Sequence, residues 1–344
     1  MSGRIRSQDY LRCLEPWAAA ATRDVYTPPD RPDLACYGTG YDGWGVQTNQ
    51  KALAALAALA ADPDLDESRA GVARDELLGL ALRMLRFSLE SHAEGSFRCT
   101  DGASWGHTWV SALGIERMMH GVEAIEPRLA DADRDLLRKV LVSECDWLLD
   151  HYDVRAGRVE NNVPESNLWS GAILHRTAAM FPDAPRAAEY REKGSQFLVN
   201  AVSVASDTAS DAIVDGKPVR ERHVGDNFFE SCALNHHRYL NVGYMVICLS
   251  NAAMLHFAFR ARDAEPPEAL YHHVEDLWRL VKQCTFPDGR LCRIGGDTRV
   301  RYCYCQDYAV PAWLLAADRF GDLDCIAFER GWLDQVRTET AANG

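Results

Sequence analysis

Apolar residues in this chain recur at helical spacing, and the links between the helical stripes alternate between short and long. That alternation limits the possible folds more than any other feature of the sequence. Residues 47–61 (QTNQKALAALAALAA) open with Thr48 and Asn49 as expected caps and stop at Asp62-Pro63. Residues 68–89 place Leu77, Leu78, Ala81, Leu82 and Leu85 at helical spacing. Further helices are expected over residues 7–23, 105–123, 132–151, 167–181, 184–205, 241–261, 267–284, 307–320 and 322–338. Strand-like alternation is confined to residues 212–219 and 290–304, where short hairpins are expected. The class is all-α.

Within a helical pair the link is short and punctuated: Asp62-Pro63, Glu126-Pro127, Phe181-Pro182, Pro266-Pro267 and Gly321-Asp322. Between pairs it is long and rich in Gly, Asn, Trp, Tyr, His and Arg, centred near Tyr41, Phe97, Asn161, Asp226 and Asp297. Stacked αα-hairpins produce this pattern and gather the long loops at one rim. With the first and last helices closing on each other, the expected form is an α/α toroid of about five to six hairpins, a complete or incomplete barrel. An open solenoid is the alternative, but those repeats use short loops on both rims. No Pro-, Ser- or Gly-rich linker interrupts the chain, so residues 1–344 are expected to form one toroid domain without a β-sandwich.

Charge and cysteine usage narrow the function. The formal net charge of -13 argues against nucleic acid or an anionic membrane as partner. No apolar run reaches about 18 residues, so no membrane span is expected. The cysteine count is odd, and Cys145, Cys232, Cys248 and Cys325 lie in apolar stretches, as buried thiols of a reducing compartment do. The polar N-terminus lacks the apolar core of a secretory signal. A cytoplasmic protein is expected.

The long loops carry the candidate chemistry. In CYGTGYDGWGVQTN, Tyr41 and Trp44 offer flat faces for sugar rings; a hydrophobic staple over the next helix is the alternative. In CTDGASWGHTWV, Trp105 and His107 are placed at a helix start, where orphan N–H groups favour an anion. In VENNVPESNLW, Ser166 or Asn167 is the expected cap of the next helix, which leaves Asn162 or Asn167 to donate to a substrate oxygen. GDNFFESCALNHHRYLNVGYM packs Asn235, His236, His237, Tyr239 and Tyr244 into one loop. His and Tyr close in sequence suit general acid–base work. Adjacent His236 and His237 are expected to point apart, and neither they nor the Cys303-Tyr304-Cys305 triplet has zinc-site spacing, so no metal and no cofactor are expected. In the last loop Arg299 and Arg301, followed by Tyr302, suit carboxylate or sulfate groups.

Paired helices with an Asn-bearing loop, a His/Tyr loop and a late Gly-Asp-Thr-Arg turn resemble the α/α-toroid polysaccharide lyases, the heparinase II/III-like and related uronate lyases. The resemblance implies β-elimination on an acidic oligo- or polysaccharide. LNHHRYLNVGYM then offers His236 as base and Tyr244 as acid, with Asn235 and Tyr239 as substrate contacts. NNVPESNLW offers Asn162 or Asn167 to neutralise the uronate carboxylate. GGDTRVRY offers Arg299, Arg301 and Tyr302 as substrate contacts, and Tyr41, Trp44, Trp105 and His107 join them as sugar-binding candidates. Many such lyases continue into β-sandwich domains and are secreted; this sequence is expected to depart on both points. Two alternatives stay open. One is a glycoside hydrolase of the unsaturated-glucuronyl kind, or an epimerase. A hydrolase would need a carboxylic acid among Asp42, Asp101, Glu165, Asp226 and Glu230. The other is a non-catalytic carbohydrate-binding toroid.

Overall fold

A computed structural model describes residues 5–159, 161–292 and 306–343. Helices account for most of these residues, and the strands form two-residue hairpins. The single domain expected from the sequence contains two compact units, Ile5–Tyr152 and Asp153–Gly344.

The first unit runs α1 (Ser7–Ala21), β1 (Val25–Tyr26), β2 (Cys36–Tyr37), α2 (Trp44–Ala61), α3 (Glu67–Ala70), α4 (Arg74–Glu90), α5 (Ser111–Ile125) and α6 (Asp131–His151). The leucine- and alanine-rich α2 is apolar on nearly every side, as a helix packed from several directions must be. It lies against both α4 and α5. At Gly121 of α5 an added Cβ would sit 2.7 Å from Ala54 Cα, so glycine permits this close crossing.

Two expectations shift here. Helix α2 starts at Trp44, so Thr48 and Asn49 lie inside it rather than capping it. Asn49 is instead a tie: its Oδ1 accepts from Tyr37 N, and its Nδ2 donates to Met84 O and Ser88 Oγ. The helix expected from residue 105 begins at Ser111, because Gly106 and His107 hold positive φ of 117° and 52° that no helix can contain.

The second unit runs α7 (Pro164–Met180), α8 (Ala187–Val199), the expected hairpin β3 (Ile213–Val214) and β4 (Lys217–Pro218), then α9 (Val219–Arg222). An unexpected hairpin, β5 (Asn235–His236) and β6 (Tyr239–Leu240), precedes α10 (Val242–Arg260), α11 (Val274–Gln283), α12 (Ala309–Arg319) and α13 (Cys325–Asn343). Helix α7 packs on α8 and α10, and α10 packs on α12. At 19 residues and a mean hydropathy of 1.6, α10 has the length and composition of a membrane span, yet 78% of that window is buried inside the protein. It is the central core helix of its unit. The helix expected over residues 267–284 is broken at His273, whose φ of 53° separates a 3-10 turn from α11.

Every cysteine among the described residues is a free thiol, and most are buried. Burial pushes the Cys36 thiol up to about 12.

Candidate functional site

The β5–β6 hairpin builds the site. Its two-residue turn, His237-Arg238, has φ of 58° and 71° at successive positions, a type I′ geometry normally filled by Asn and Gly. Two bulky residues held there are strained, which is where functional constraints concentrate. Immediately after the hairpin, Asn241 caps α10: its Oδ1 accepts from Tyr244 N, and its Nδ2 donates to His236 O. One residue thus fixes the start of α10 and the backbone of the histidine.

This arrangement brings three of the expected catalytic residues together. His236 and Tyr244 have ring centroids 4.1 Å apart. His236 Nδ1 lies 2.6 Å from Asn162 Oδ1. The Asn162 amide donates through Nδ2 to Arg158 O at 3.2 Å and Asn235 O at 2.5 Å. Carbonyls only accept, so the NH₂ group must face them and the amide oxygen must face the ring. His236 Nδ1 is therefore an N–H, and in the neutral ring Nε2 carries the lone pair. His236 and Asn162 are both buried, whereas Tyr244 is half-buried and His237 exposed.

The same bonds revise two roles. Both N–H groups of Asn162 are held by backbone carbonyls, so Asn162 orients the histidine instead of neutralising a carboxylate. Asn167 lies fully buried within α7 and is spent on scaffolding: Nδ2 donates to Arg155 O and Asn200 O, and Oδ1 accepts from Arg155 N. His237 also departs from expectation. Its ring does not point away from His236; the centroids are 4.2 Å apart, and Nε2 lies 3.4 Å from Tyr244 Oη. The positive φ of the turn folds it back.

Two oxygens beside this cluster lack hydrogen-bond partners among the described residues, Asn235 Oδ1 and Glu165 Oε2, both buried. Glu165 follows Pro164 at the start of α7, three residues after Asn162. Burial pushes its carboxyl up to about 7. Burial first, and the nearby Glu165 carboxylate second, also push the Cys248 thiol of α10 well above its usual range. Glu165 therefore lies near α10 one turn beyond Tyr244. Tyr239 stands opposite His236 across the hairpin. Arg158 pairs with Asp226, and Glu230 accepts from Ser206 N and Oγ. Arg299, Arg301 and Tyr302 lie outside the described residues, as do Cys303 and Cys305.

The remaining expected sugar contacts belong to the first unit. Tyr41 and Trp44 are exposed, as a stacking platform requires. Trp105 is not available: it is buried, donates Nε1 to Ser88 O at 2.7 Å, and meets His92 edge-on. His107 lines a cavity of 460 Å³ with Glu94, Lys139, Ser143 and Trp147. Its Nε2 lies 2.8 Å from Ser143 Oγ, and its ring stacks on Trp147.

Among the described residues, two groups bring potential metal ligands within 4.8 Å of one another: His92, His107 and Glu144, and Asp207, His272 and His273. In the first, Glu94 N donates to His92 Nδ1 at 3.0 Å. The proton of the neutral ring must then sit on Nε2, which donates to Glu144 Oε1 at 2.7 Å. A metal would have to displace that proton onto a nitrogen already facing an N–H, so this group reads as a buried hydrogen-bond network. Sequence reasoning missed it because its partners are 52 residues apart. Comparison of the chain with protein-family models, with curated proteins and with solved structures finds no match.

Proposed function

We propose that the chain is a carbohydrate-active enzyme on an α/α toroid, a lyase cleaving a uronate-containing oligosaccharide by β-elimination. One observation carries the reading. Asn162 holds His236 Nδ1 as a donor, which leaves Nε2 as the basic nitrogen beside the Tyr244 ring. His236 Nε2 removes the proton α to the uronate carboxylate, and Tyr244 Oη protonates the departing glycosidic oxygen. His237, 3.4 Å from that phenol, would return a proton to it. Asn235 Oδ1, a buried acceptor with no hydrogen-bond partner among the described residues, suits a sugar hydroxyl.

The test is turnover of uronate oligosaccharides followed by the ultraviolet absorbance of the unsaturated product. The reading requires that absorbance to rise with the wild type and to vanish with His236→Ala.

A second reading rests on Glu165. A buried carboxyl pushed up to about 7 is protonated often enough near neutrality to act as the acid of a glycoside hydrolase. New reducing ends without unsaturated product, lost in Glu165→Gln, would replace elimination with hydrolysis. Binding without turnover would leave a carbohydrate-binding protein.

A further inference from the structure

A second convergence of side chains in the unit Asp153–Gly344 takes no part in the chemistry above. His272 Nε2 lies 3.0 Å from Asp207 Oδ2, and His273 Nε2 lies 3.0 Å from Asp207 Oδ1. Asp207 is buried and also accepts from Val204 N. Adjacent side chains on regular backbone diverge. The φ of 53° at His273 turns them onto a common carboxylate, with ring centroids 4.1 Å apart. For a non-glycine residue that conformation costs about 1 kcal/mol or more.

The outer nitrogen of His273 separates this group from the His92 network. His273 Nδ1 faces another carboxylate, Asp276 Oδ2, at 3.5 Å. Both carboxylates only accept, so each ring nitrogen of His273 faces an acceptor. A neutral ring carries one proton and can satisfy only one of them. A second ring proton, or a cation held between Nε2 and Asp207, resolves the conflict. A carboxylate on the outer N–H is the arrangement that orients metal-bound imidazoles. At His92 the outer nitrogen accepts instead, which places the proton on the inner one.

The surroundings favour a cation. A cavity of 470 Å³ opens at His273, lined also by Ser206, Glu230, Cys232, Asp276 and Arg279. The Arg279 guanidinium is already paired with Asp276 and Glu275, so the charge facing the cavity is mainly negative.

We propose that Asp207, His272 and His273 bind a divalent transition-metal ion of the zinc class, through both Nε2 atoms and the Asp207 carboxylate, beside the cavity that His273 lines. Two imidazoles and one carboxylate suit Zn²⁺ or Co²⁺ and not the oxygen-seeking Ca²⁺ or Mg²⁺. None of its three residues is used in the proposed lyase chemistry, so its failure would leave the lyase reading untouched.

The experiment titrates the whole chain with Co²⁺, following visible absorption and paramagnetically shifted proton resonances, with Zn²⁺ as competitor. One equivalent should bind, be displaced by Zn²⁺, and show two shifted, solvent-exchangeable imidazole N–H signals in the wild type. His272→Ala and His273→Ala should abolish stoichiometric binding, Asp276→Asn should weaken it by about 10–100-fold, and His107→Ala should leave it unchanged. Because the N–H signals are read in the wild type, the test survives any variant that does not fold. Folded wild type that takes up neither ion, a Co²⁺ spectrum without imidazole N–H signals, or full binding in both histidine variants would overturn the site.

Discussion

His92 in the first unit and His236 in the second are both buried histidines with one short bond to an oxygen, yet their chemistry is opposite. At His92 a backbone N–H occupies Nδ1, so the proton sits on Nε2 and is given to Glu144. At His236 an amide oxygen occupies Nδ1, so Nε2 carries the lone pair. The donor or acceptor character of one neighbour decides which ring nitrogen of a buried histidine carries the proton. Both are buried histidines, so residue type and burial alone do not assign the tautomer.

The comparison breaks first at Asn162. Asn162→Leu removes the acceptor without touching His236, frees the ring to take the other tautomer, and leaves two carbonyls without donors. Turnover on uronate oligosaccharides should fall toward the level of His236→Ala, itself about 10²–10⁴ below wild type. The losses should be less than additive in the double variant, because the two residues act as one unit. Wild-type turnover in Asn162→Leu would mean that the hydrogen bond does not set the base.

At His92 the expected readout is stability. His92→Ala removes the buried donor and strands the fully buried Glu144, whose Oε1 accepts from both His92 and His107 N. The loss should be about 2–4 kcal/mol in denaturant unfolding, with turnover per folded molecule unchanged. A fall in turnover with unchanged stability would reverse the roles assigned to the two histidines.

Glu165 gives a smaller effect with a definite sign. Burial raises its folded value to about 7 from an ordinary 4.5, so the folded state holds the proton that the unfolded state has lost. Its contribution therefore declines as pH rises from about 4.5 to about 7 and is fully lost above that. His175, held down to about 4 by burial, runs the other way, losing stability as pH falls from 6.5 toward 4. Comparing Glu165→Gln with wild type cancels the His175 part. The variant should gain relative stability across that rise, by up to about 3 kcal/mol. A difference that stays flat with pH would show the carboxyl to be ionised in the fold. His237→Ala should have the mildest effect, about tenfold or less in turnover, since its contact with Tyr244 Oη is long.

Much of the helical order was legible, because core-facing residues repeat at helical spacing: α6 and α10 each fall within a residue or so of expectation. Loop conformation was not. Positive φ at His107, His237 and His273 lies in no periodicity, and each moved a ring away from where sequence spacing would put it. The clustering of Asn162, His236 and Tyr244 was expected from the resemblance to the toroid lyases, which put a His/Tyr loop and an Asn-bearing loop at one site. The role of Asn162 was not, because it depends on which backbone carbonyls its amide meets, Asn235 O being 73 residues away. Asn167 misled for the same reason: its type suits a ligand contact, while its burial within α7 commits it to the scaffold.

The most direct test is the tautomer itself. Nitrogen-15 spectra of histidine-labelled protein above the titration range, assigned with the single variants, distinguish a protonated from a bare ring nitrogen. The account predicts a protonated Nδ1 and bare Nε2 at His236, with the reverse at His92. A His236 ring carrying its proton on Nε2 would contradict it.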